Sequence, residues 1–362
     1  MLSMSQEGRA ALQLLGNLQE YSSRDLRKAA QKIFYTNDEM AAVGDAPMGQ
    51  RPPEELDRLA KKATSVAETI QAHRIERFLQ RMVAEGVYDR GIPAAEVLRP
   101  QTQNAPEPDM SKAGTLTLNP DLETPAGFNG VEWHLMPGGW DGYDLSGTMF
   151  MAGVSPYIFA RGGYAAVPVN ADIMRHRQDF LDQLPKDIDY KRVYDFGCAG
   201  SGLLSMVRGR YPEAELTGSD LSANLLRGGH RMDAMLGLNV ALKQESASNT
   251  SEPDNHYDAA LSYAVFHEMD DGIARAALEE MFRILAPGGV LLISDPGPLQ
   301  ALSPYQAALY DWDTEHREEP FFSDSIRRPL LDWMREIGFV DCEAYAIGED
   351  SYPWITKGRK PA

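Results

Sequence analysis

The run Arg192-Val193-Tyr194-Asp195-Phe196-Gly197-Cys198-Ala199-Gly200-Ser201-Gly202 constrains this chain more than any other. A short apolar stretch ending in an acid and a cluster of small residues predicts a buried strand that runs into a Gly-rich turn. Leu203-Leu204-Ser205-Met206-Val207 then has helical spacing, so the turn amides and a helix N-terminus face a ligand. Downstream the pattern alternates, with strands expected over 193–196, 215–220, 240–244, 257–265 and 290–294 and helices over 203–210, 223–236 and 273–285. Repeated strand-helix units predict a parallel sheet covered on both faces, with ligands at the carboxyl ends of the strands. The tail breaks this rhythm. A helix over 330–337 stops at Gly338, and strand-like runs over 339–346 and 352–356 flank Gly348-Glu349-Asp350 so closely that they must pair antiparallel.

Upstream of that unit the chain reads as helical and then irregular. Ala11, Leu12, Leu15 and Leu18 mark one amphipathic helix, and Leu26, Ala29, Ala30, Ile33 and Phe34 a second, with Ser22 or Ser23 as its expected N-cap. Pro52-Pro53-Glu54-Glu55 opens the longest helical pattern, whose stripe of Leu56, Leu59, Ala63, Val66, Ala67, Ile70, Phe78, Leu79, Met82 and Val83 is expected to stop at Gly86. Such a stripe is ordinary core or a dimer seam. Residues 1–99 are therefore expected to form a helical N-terminal domain that dimerises or covers substrate, 100–170 a Pro-rich linker with substrate-proximal loops, and 171–362 the ligand-binding domain. Within the middle segment, Trp133-His134-Leu135-Met136-Pro137-Gly138-Gly139-Trp140-Asp141-Gly142-Tyr143-Asp144 is either a recognition loop or a tight turn with Trp140 anchored in the core. Gly162-Gly163-Tyr164 is a second such mark, and Asp172 to Leu184 reads as the helix leading into the central strand.

Composition sets the outer limits. The 362 residues allow about two domains. A formal charge of -18 repels nucleic acid and anionic membranes. Cys198 and Cys342 provide neither a disulfide framework nor a thiolate cluster, so a reducing, cytoplasmic setting is expected. The N-terminus has no secretory pattern and no apolar run reaches membrane-spanning length.

The chemistry of the ligand follows from two acids. Asp220 lies about 20 residues beyond the turn, the spacing at which a carboxylate meets ribose hydroxyls. Gly197-x-x-Gly200-x-Gly202 alone also fits a nicotinamide dehydrogenase, but Asp195, two residues before the first glycine, suits a cationic ligand and would repel a pyrophosphate. With Asp195 to Gly202, Asp220, Leu285-Ala286-Pro287-Gly288-Gly289-Val290 and the hairpin after Ile337-Gly338-Phe339, the chain from about Asp172 onward resembles the class I S-adenosylmethionine-dependent methyltransferases. It is most similar to the branch of ubiquinone and menaquinone C-methyltransferases and small-molecule O-methyltransferases. That resemblance implies an α/β, Rossmann-like fold with a mostly parallel seven-stranded sheet, a C-terminal antiparallel hairpin and the helical N-terminal domain. It also implies S-adenosylmethionine as cofactor, with Asp195, Gly197, Cys198, Ala199, Gly200, Ser201, Asp220, Leu221, Ser246, Ala247 and Ser262 around it. Two departures stand out: Ser246, beside Glu245, occupies the place of the usual adenine-binding acid, and Ala199, acceptable if its φ is negative, stands where glycine is common.

The resemblance further implies a base at His267, in Phe266-His267-Glu268-Met269-Asp270-Asp271, and an imidazole with an ordinary pKa near 6.5 suits removal of a hydroxyl proton. Acceptor contacts are expected from His134, Trp140 and Tyr143, and from Tyr305 and Trp312 in the insertion after strand five. No metal is expected: Asp311, Asp313 and His316 do not share a helical face, and their helix should be solvated and partly packed. Glu268, Asp270 and Asp271 read as a helix cap. The leading expectation is methyl transfer to a small, aromatic or polyketide-like acceptor, with a hydroxyl favoured, by a cytoplasmic homodimer joined through the N-terminal helices. The alternatives are a cofactor-binding fold relative without methyl transfer and an NAD(P)-dependent oxidoreductase.

Overall fold

A computed structural model describes residues 4–125, 127–161, 173–348 and 351–362. Gly162-Gly163-Tyr164, Asp172, Glu349 and Asp350 lie outside the described residues. The main helices are α1 Gln6–Tyr21, α2 Arg27–Phe34, α3 Pro53–Thr69, α4 Gln71–Glu96, α5 Ile173–Leu181, α6 Gly202–Arg210, α7 Ala223–Leu236, α8 Asp271–Ile284, α9 Pro304–His316, α10 Phe322–Arg327 and α11 Leu330–Ile337. The strands are β1 Gly114–Thr117, β2 Arg192–Phe196, β3 Glu215–Asp220, β4 Val240–Gln244, β5 Tyr257–Tyr263, β6 Leu285–Asp295, β7 Val340–Ala346 and β8 Trp354–Arg359.

They form one sheet in the order β1-β4-β3-β2-β5-β6-β8-β7, parallel except for β8, which runs antiparallel to both β6 and β7. The seven expected strands are all present. An eighth, β1, comes from the segment read as linker and pairs with β4 at the sheet edge. That pairing depends on Gly114, whose φ is +89° and where a Cβ would fall 2.3 Å from the Val240 carbonyl oxygen. Side chains alternate across the central strands. Val193, Leu261 and Leu292 face one layer of core with Leu204, Val207 and Leu226, while Tyr194, Ala260, Leu291 and Ile293 face the other with Leu278 and Met281. Both faces are covered, as period-two burial of a parallel sheet requires.

The strand order reverses at β2, which pairs with β3 on one side and β5 on the other. Connections from β2 and β5 leave in opposite directions, opening a crevice at their carboxyl ends. Asp195, Asp220, Gln244, Tyr263 and Asp295 all lie at that edge.

The helical region differs from expectation in four ways. Ser22 and Ser23 cap nothing: the chain passes through a single π-turn at Ser22–Leu26, and both hydroxyls donate back to the Gln19 carbonyl at 3.0 and 2.8 Å. The long pattern breaks at Ile70, whose backbone is extended, and not at Gly86, which sits inside α4 where Leu15 of α1 approaches to 3.0 Å of the missing Cβ. Ile33 and Phe78, counted in the apolar stripes, are exposed. Finally, α9 is packed and not solvated, because Tyr305, Ala308 and Leu309 share a core with Phe34, Leu56, Leu59 and Ala63. The insertion after β6 is thus part of the same layer as the N-terminal helices. Among the described residues no helix is long and apolar enough to cross a membrane.

Buried charges hold that layer to α4. Glu76 Oε1 accepts from Arg27 Nε at 3.0 Å and Arg77 Nη2 at 2.6 Å, and Arg77 Nη1 donates to Asp313 Oδ1 of α9 at 3.1 Å. Burial pushes the Glu76 carboxyl up, but Arg77 and Arg27 hold it down at about 2. A depressed pKa of this kind stabilises the fold above the ordinary carboxylate range, and the contribution disappears as pH falls through the folded value. Glu76→Gln removes the charge shared by the two guanidiniums and turns one accepting oxygen into a donor, and should cost about 3–5 kcal/mol in denaturant unfolding; a loss below about 1 kcal/mol would show that the network contributes little.

Candidate active site

The turn after β2 takes a left-handed backbone at three of its residues, Gly197, Ala199 and Ser201. Gly197 has φ +67°, and a Cβ there would lie 2.5 Å from Val265 Cγ2. Ala199 and Ser201 also take positive φ, +48° and +62°, so the expectation of a negative φ at Ala199 is corrected. Surrounding contacts hold these conformations. Asp220 Oδ2 accepts from the Ala199 amide at 2.9 Å, the Cys198 amide donates to the Ser219 carbonyl at 2.9 Å, and Ser201 Oγ donates to Asp233 Oδ2 at 3.1 Å. Gly197 makes the close contact, Gly200 leaves open space where a side chain would stand, and Gly202 begins α6.

Asp195 is 2% exposed. Burial raises its carboxyl to about 8, the Arg177 guanidinium opposes that rise, and Asp220 adds to it. A carboxyl in that state gains from a cationic neighbour. Arg177, from α5, stands over the Tyr263 ring at 5.4 Å and within 2.9 Å of where a Gly202 Cβ would be, at the N-terminus of α6. An acid and a guanidinium side by side at a helix N-terminus match a zwitterionic amino-acid end together with a sulfonium. They do not match a pyrophosphate, which would meet Asp195 and Asp220.

The other expected cofactor residues separate. Asp220 lies at the crevice, its carboxylate also accepting from the Ser222 amide at 2.9 Å, and burial lifts its pKa to about 6. The Leu221 carbonyl accepts from Gln244 Nε2 at 3.0 Å. Ser246 pairs with Ser248 at 2.8 Å, and Glu245 accepts from Ser251 Oγ at 2.9 Å. Ala247 packs against the core, Ser262 is fully enclosed, and the Cys198 side chain is buried against Gly218. The Cys198 and Ala199 amides are bonded within the fold, to Ser219 and Asp220, and Gly200 leaves open space at the turn.

Opposite the turn, residues from four distant segments converge. His267 Nδ1 donates to Asp295 Oδ1 at 2.7 Å, and its Nε2 stands 4.0 Å from Glu268 Oε1. His134 Nε2 pairs with the same Glu268 oxygen at 3.1 Å, His134 Nδ1 pairs with Glu319 Oε1, and Trp140 Nε1 donates to Glu268 Oε2 at 3.1 Å. Burial works against charging either imidazole. Even so, Glu319 and Glu268 hold His134 well above its ordinary pKa, and Asp295 with Glu268 raises His267. Asp141 ties this loop to the cofactor side by accepting from the Asn224 amide (3.0 Å) and Ser222 Oγ (2.6 Å) at the start of α7. Arg328 clamps the His267 loop from behind. Its Nη1 donates to the Phe266 carbonyl at 2.9 Å, Nη2 to that of Met269 at 2.8 Å, and Nε to Asp271 at 2.9 Å.

Of the expected acceptor contacts, His134 and Trp140 join His267 and three do not. The Tyr143 hydroxyl donates to Glu96 at 2.9 Å, Tyr305 is buried against Phe34 and bonded to His73 at 3.2 Å, and Trp312 lies under Arg77. Trp140 packs against the core and donates from its ring nitrogen to Glu268. Asp270 caps α8 by accepting from the Ile273 amide at 2.8 Å, whereas Glu268 belongs to the site. Glu268, Asp295, Glu319, Arg177 and Asp141 were not singled out as site residues from sequence. Asp295, at the end of a predicted strand facing the Gly-rich turn, was the one with a positional signal. No cluster of metal-binding side chains occurs among the described residues.

Residues 193–289 match the family described as methyltransferase domain. Over these residues the chain carries a methyltransferase domain of the class I S-adenosylmethionine-dependent kind. It is 30% identical over 177 residues to a fatty-acid O-methyltransferase of Mycolicibacterium smegmatis, covering 47% of this chain and 60% of that one. It is 32% identical over 108 residues to a demethylmenaquinone methyltransferase of Thermus thermophilus, covering 30% and 48%. Against a trans-aconitate 2-methyltransferase of Rhodopseudomonas palustris the identity is 30% over 125 residues, covering 34% and 46%. The chain thus spans about half the length of the curated relatives it matches.

Because Asp195 has a folded pKa above its ordinary value, the cofactor-free methyltransferase domain should lose stability as pH rises from the carboxylate range toward about 8. Asp195→Asn should flatten that slope in thermal unfolding at a series of pH values. The same change should weaken S-adenosylmethionine binding about tenfold or more. A variant with the original slope and unchanged affinity would remove Asp195 from the site.

Proposed function

We propose that this chain transfers a methyl group from S-adenosylmethionine to a hydroxyl of a small-molecule acceptor. The observation that carries this reading is the Asp295–His267 pair at the carboxyl edge of the sheet, on the same rim as Asp195 and Asp220. The bound cofactor supplies an electrophilic methyl group on a sulfonium. Asp195 and Arg177 would hold its amino-acid end and Asp220 its ribose, over the part of the turn left open at Gly200. Asp295 fixes the imidazole with Nδ1–H donated, which leaves His267 Nε2 to take the acceptor's proton. His134 and Trp140 hold Glu268 beside that nitrogen, and the loop they belong to excludes water from above. Residues 1–99, sharing a core with α9 and α10, form the cover over the acceptor side. A homodimer through these helices would rest on exposed Leu14, Tyr21, Ile75 and Phe78. The relatives are named for a fatty acid, a quinone and trans-aconitate, so neither acceptor nor methylated atom passes to this chain by similarity.

Two measurements test this. His267→Ala should lower turnover, read as S-adenosylhomocysteine release over a panel of phenolic acceptors, by about 100-fold or more with cofactor affinity unchanged. Undiminished turnover removes His267 as the base, and cofactor binding without turnover of any acceptor favours the non-transferring fold relative. The pH profile should also be informative. A raised His267 pKa places the acid limb of kcat above the ordinary imidazole value, since the base works only when unprotonated. Asp295→Asn should move that limb to lower pH while lowering kcat; an unshifted limb would assign it to another group.

A further inference from the structure

The acceptor side of the crevice carries more negative charge than a carboxylic acid could share. Asp295, Glu268 and Glu319 are set against the two imidazoles of His267 and His134, with the Trp140 indole N–H on Glu268, and Asp141 and Asp220 add to them across the crevice. Among the described residues, the guanidiniums around this cluster face other groups, Arg317 Nε standing 3.8 Å from Asp313 Oδ1. Arg328 donates to two carbonyls and Asp271, Arg77 to Glu76 and Asp313, and Arg27 to Glu76, while Arg317 Nη1 donates to the Gln80 carbonyl at 3.2 Å. Arg177 serves the cofactor end. The residues outside the described segments include no lysine or arginine.

A second observation points to a missing donor. Glu319 is 2% exposed, and while its Oε1 pairs with His134, its Oε2 is buried with no hydrogen-bond partner. A buried carboxylate oxygen in that position is costly unless something donates to it. The aromatic rings of Trp140, 5.2 Å from His134, and Phe322, 5.1 Å from His267, stand beside the cluster and favour a cation over an anion.

We infer that the acceptor carries a cationic amine, seated against Glu319 and Glu268, in addition to the hydroxyl that reaches His267. This rests on the methyltransferase reading above and narrows it. It also separates the chain from relatives named for a fatty acid and for trans-aconitate, both of them carboxylates. Like-charge exclusion of a carboxylate and attraction of an ammonium at one seat give selectivity as well as affinity.

Calorimetry on the full chain saturated with S-adenosylhomocysteine tests it with three phenols of one skeleton: tyramine, 4-propylphenol and 3-(4-hydroxyphenyl)propanoate. A second series of octylamine, octanol and octanoate removes dependence on ring shape. The amine should bind most tightly and the carboxylate least in whichever series binds, separated by about tenfold or more. Glu319→Gln should narrow the gap to about threefold or less while S-adenosylhomocysteine affinity, which reports folding, stays unchanged. Equal or tighter binding of the carboxylates overturns the inference, as does a gap that Glu319→Gln leaves intact or failure of both amines to bind at about 1 mM. Failure of S-adenosylhomocysteine itself to bind would instead overturn the methyltransferase reading.

Discussion

A carboxyl group buried where a sheet forks is costly to ionise, and the architecture of this protein is arranged around Asp195 in that position. β2 is central, with parallel neighbours on both sides, so the Asp195 side chain emerges where the strand order reverses. Everything that follows β2 shapes space for a ligand that can compensate the acid. Gly197 lets the chain turn under Val265, Asp220 receives the Ala199 amide, and Gly229 lets α7 pack on the turn, where a Cβ would stand 3.0 Å from the Gly200 carbonyl carbon. The same α7 receives Asp141 at its N-terminus, so the loop bearing His134 and Trp140 is tied to the cofactor turn through one helix.

The acceptor side is assembled on a different principle. Its polar groups come from the 133–141 loop, the segment after β5, the end of β6 and the link between α9 and α10, each contributing one or two side chains. No single segment makes a site. Glu268 joins them because its two oxygens meet His134 and Trp140 while it stands beside His267. Arg328 keeps the backbone of that segment in place with three donors, and the buried Arg77–Asp313 contact holds α9 against α4 on the far side. Loss of either support would loosen the site without touching a group that meets the ligand.

The Asp195–Asp220 part of the candidate site was legible in the sequence because it is local, whereas Arg177, from a separate helix, was not. The strand, turn and helix around Asp195 lie within about 20 residues, and spacing alone carries Asp220 into place. The acceptor half was not. His134 meets Glu319 across 185 positions and Glu268 across 134, and nothing in the spacing of those residues announces the contact. Tyr305 and Trp312 looked like pocket residues because aromatic rings with polar tips serve equally as core, and only packing against Phe34 and Arg77 decides which. The positive φ of Ala199 was invisible for another reason. A non-glycine residue shows no sign of left-handed backbone in sequence, and here hydrogen bonds from neighbours hold it.

The claim on which the rest depends is that Asp195 is kept largely protonated by burial until a cationic ligand reaches it. Calorimetry of S-adenosylmethionine binding at about pH 7, repeated in buffers of different ionisation enthalpy, counts the protons exchanged on binding. A group raised to about 8 in the free protein and drawn down by a bound cation must lose a proton, so the native chain should release a substantial fraction of one and Asp195→Asn close to none. Binding of the cofactor with no proton release, or with the same release in both proteins, would contradict the account.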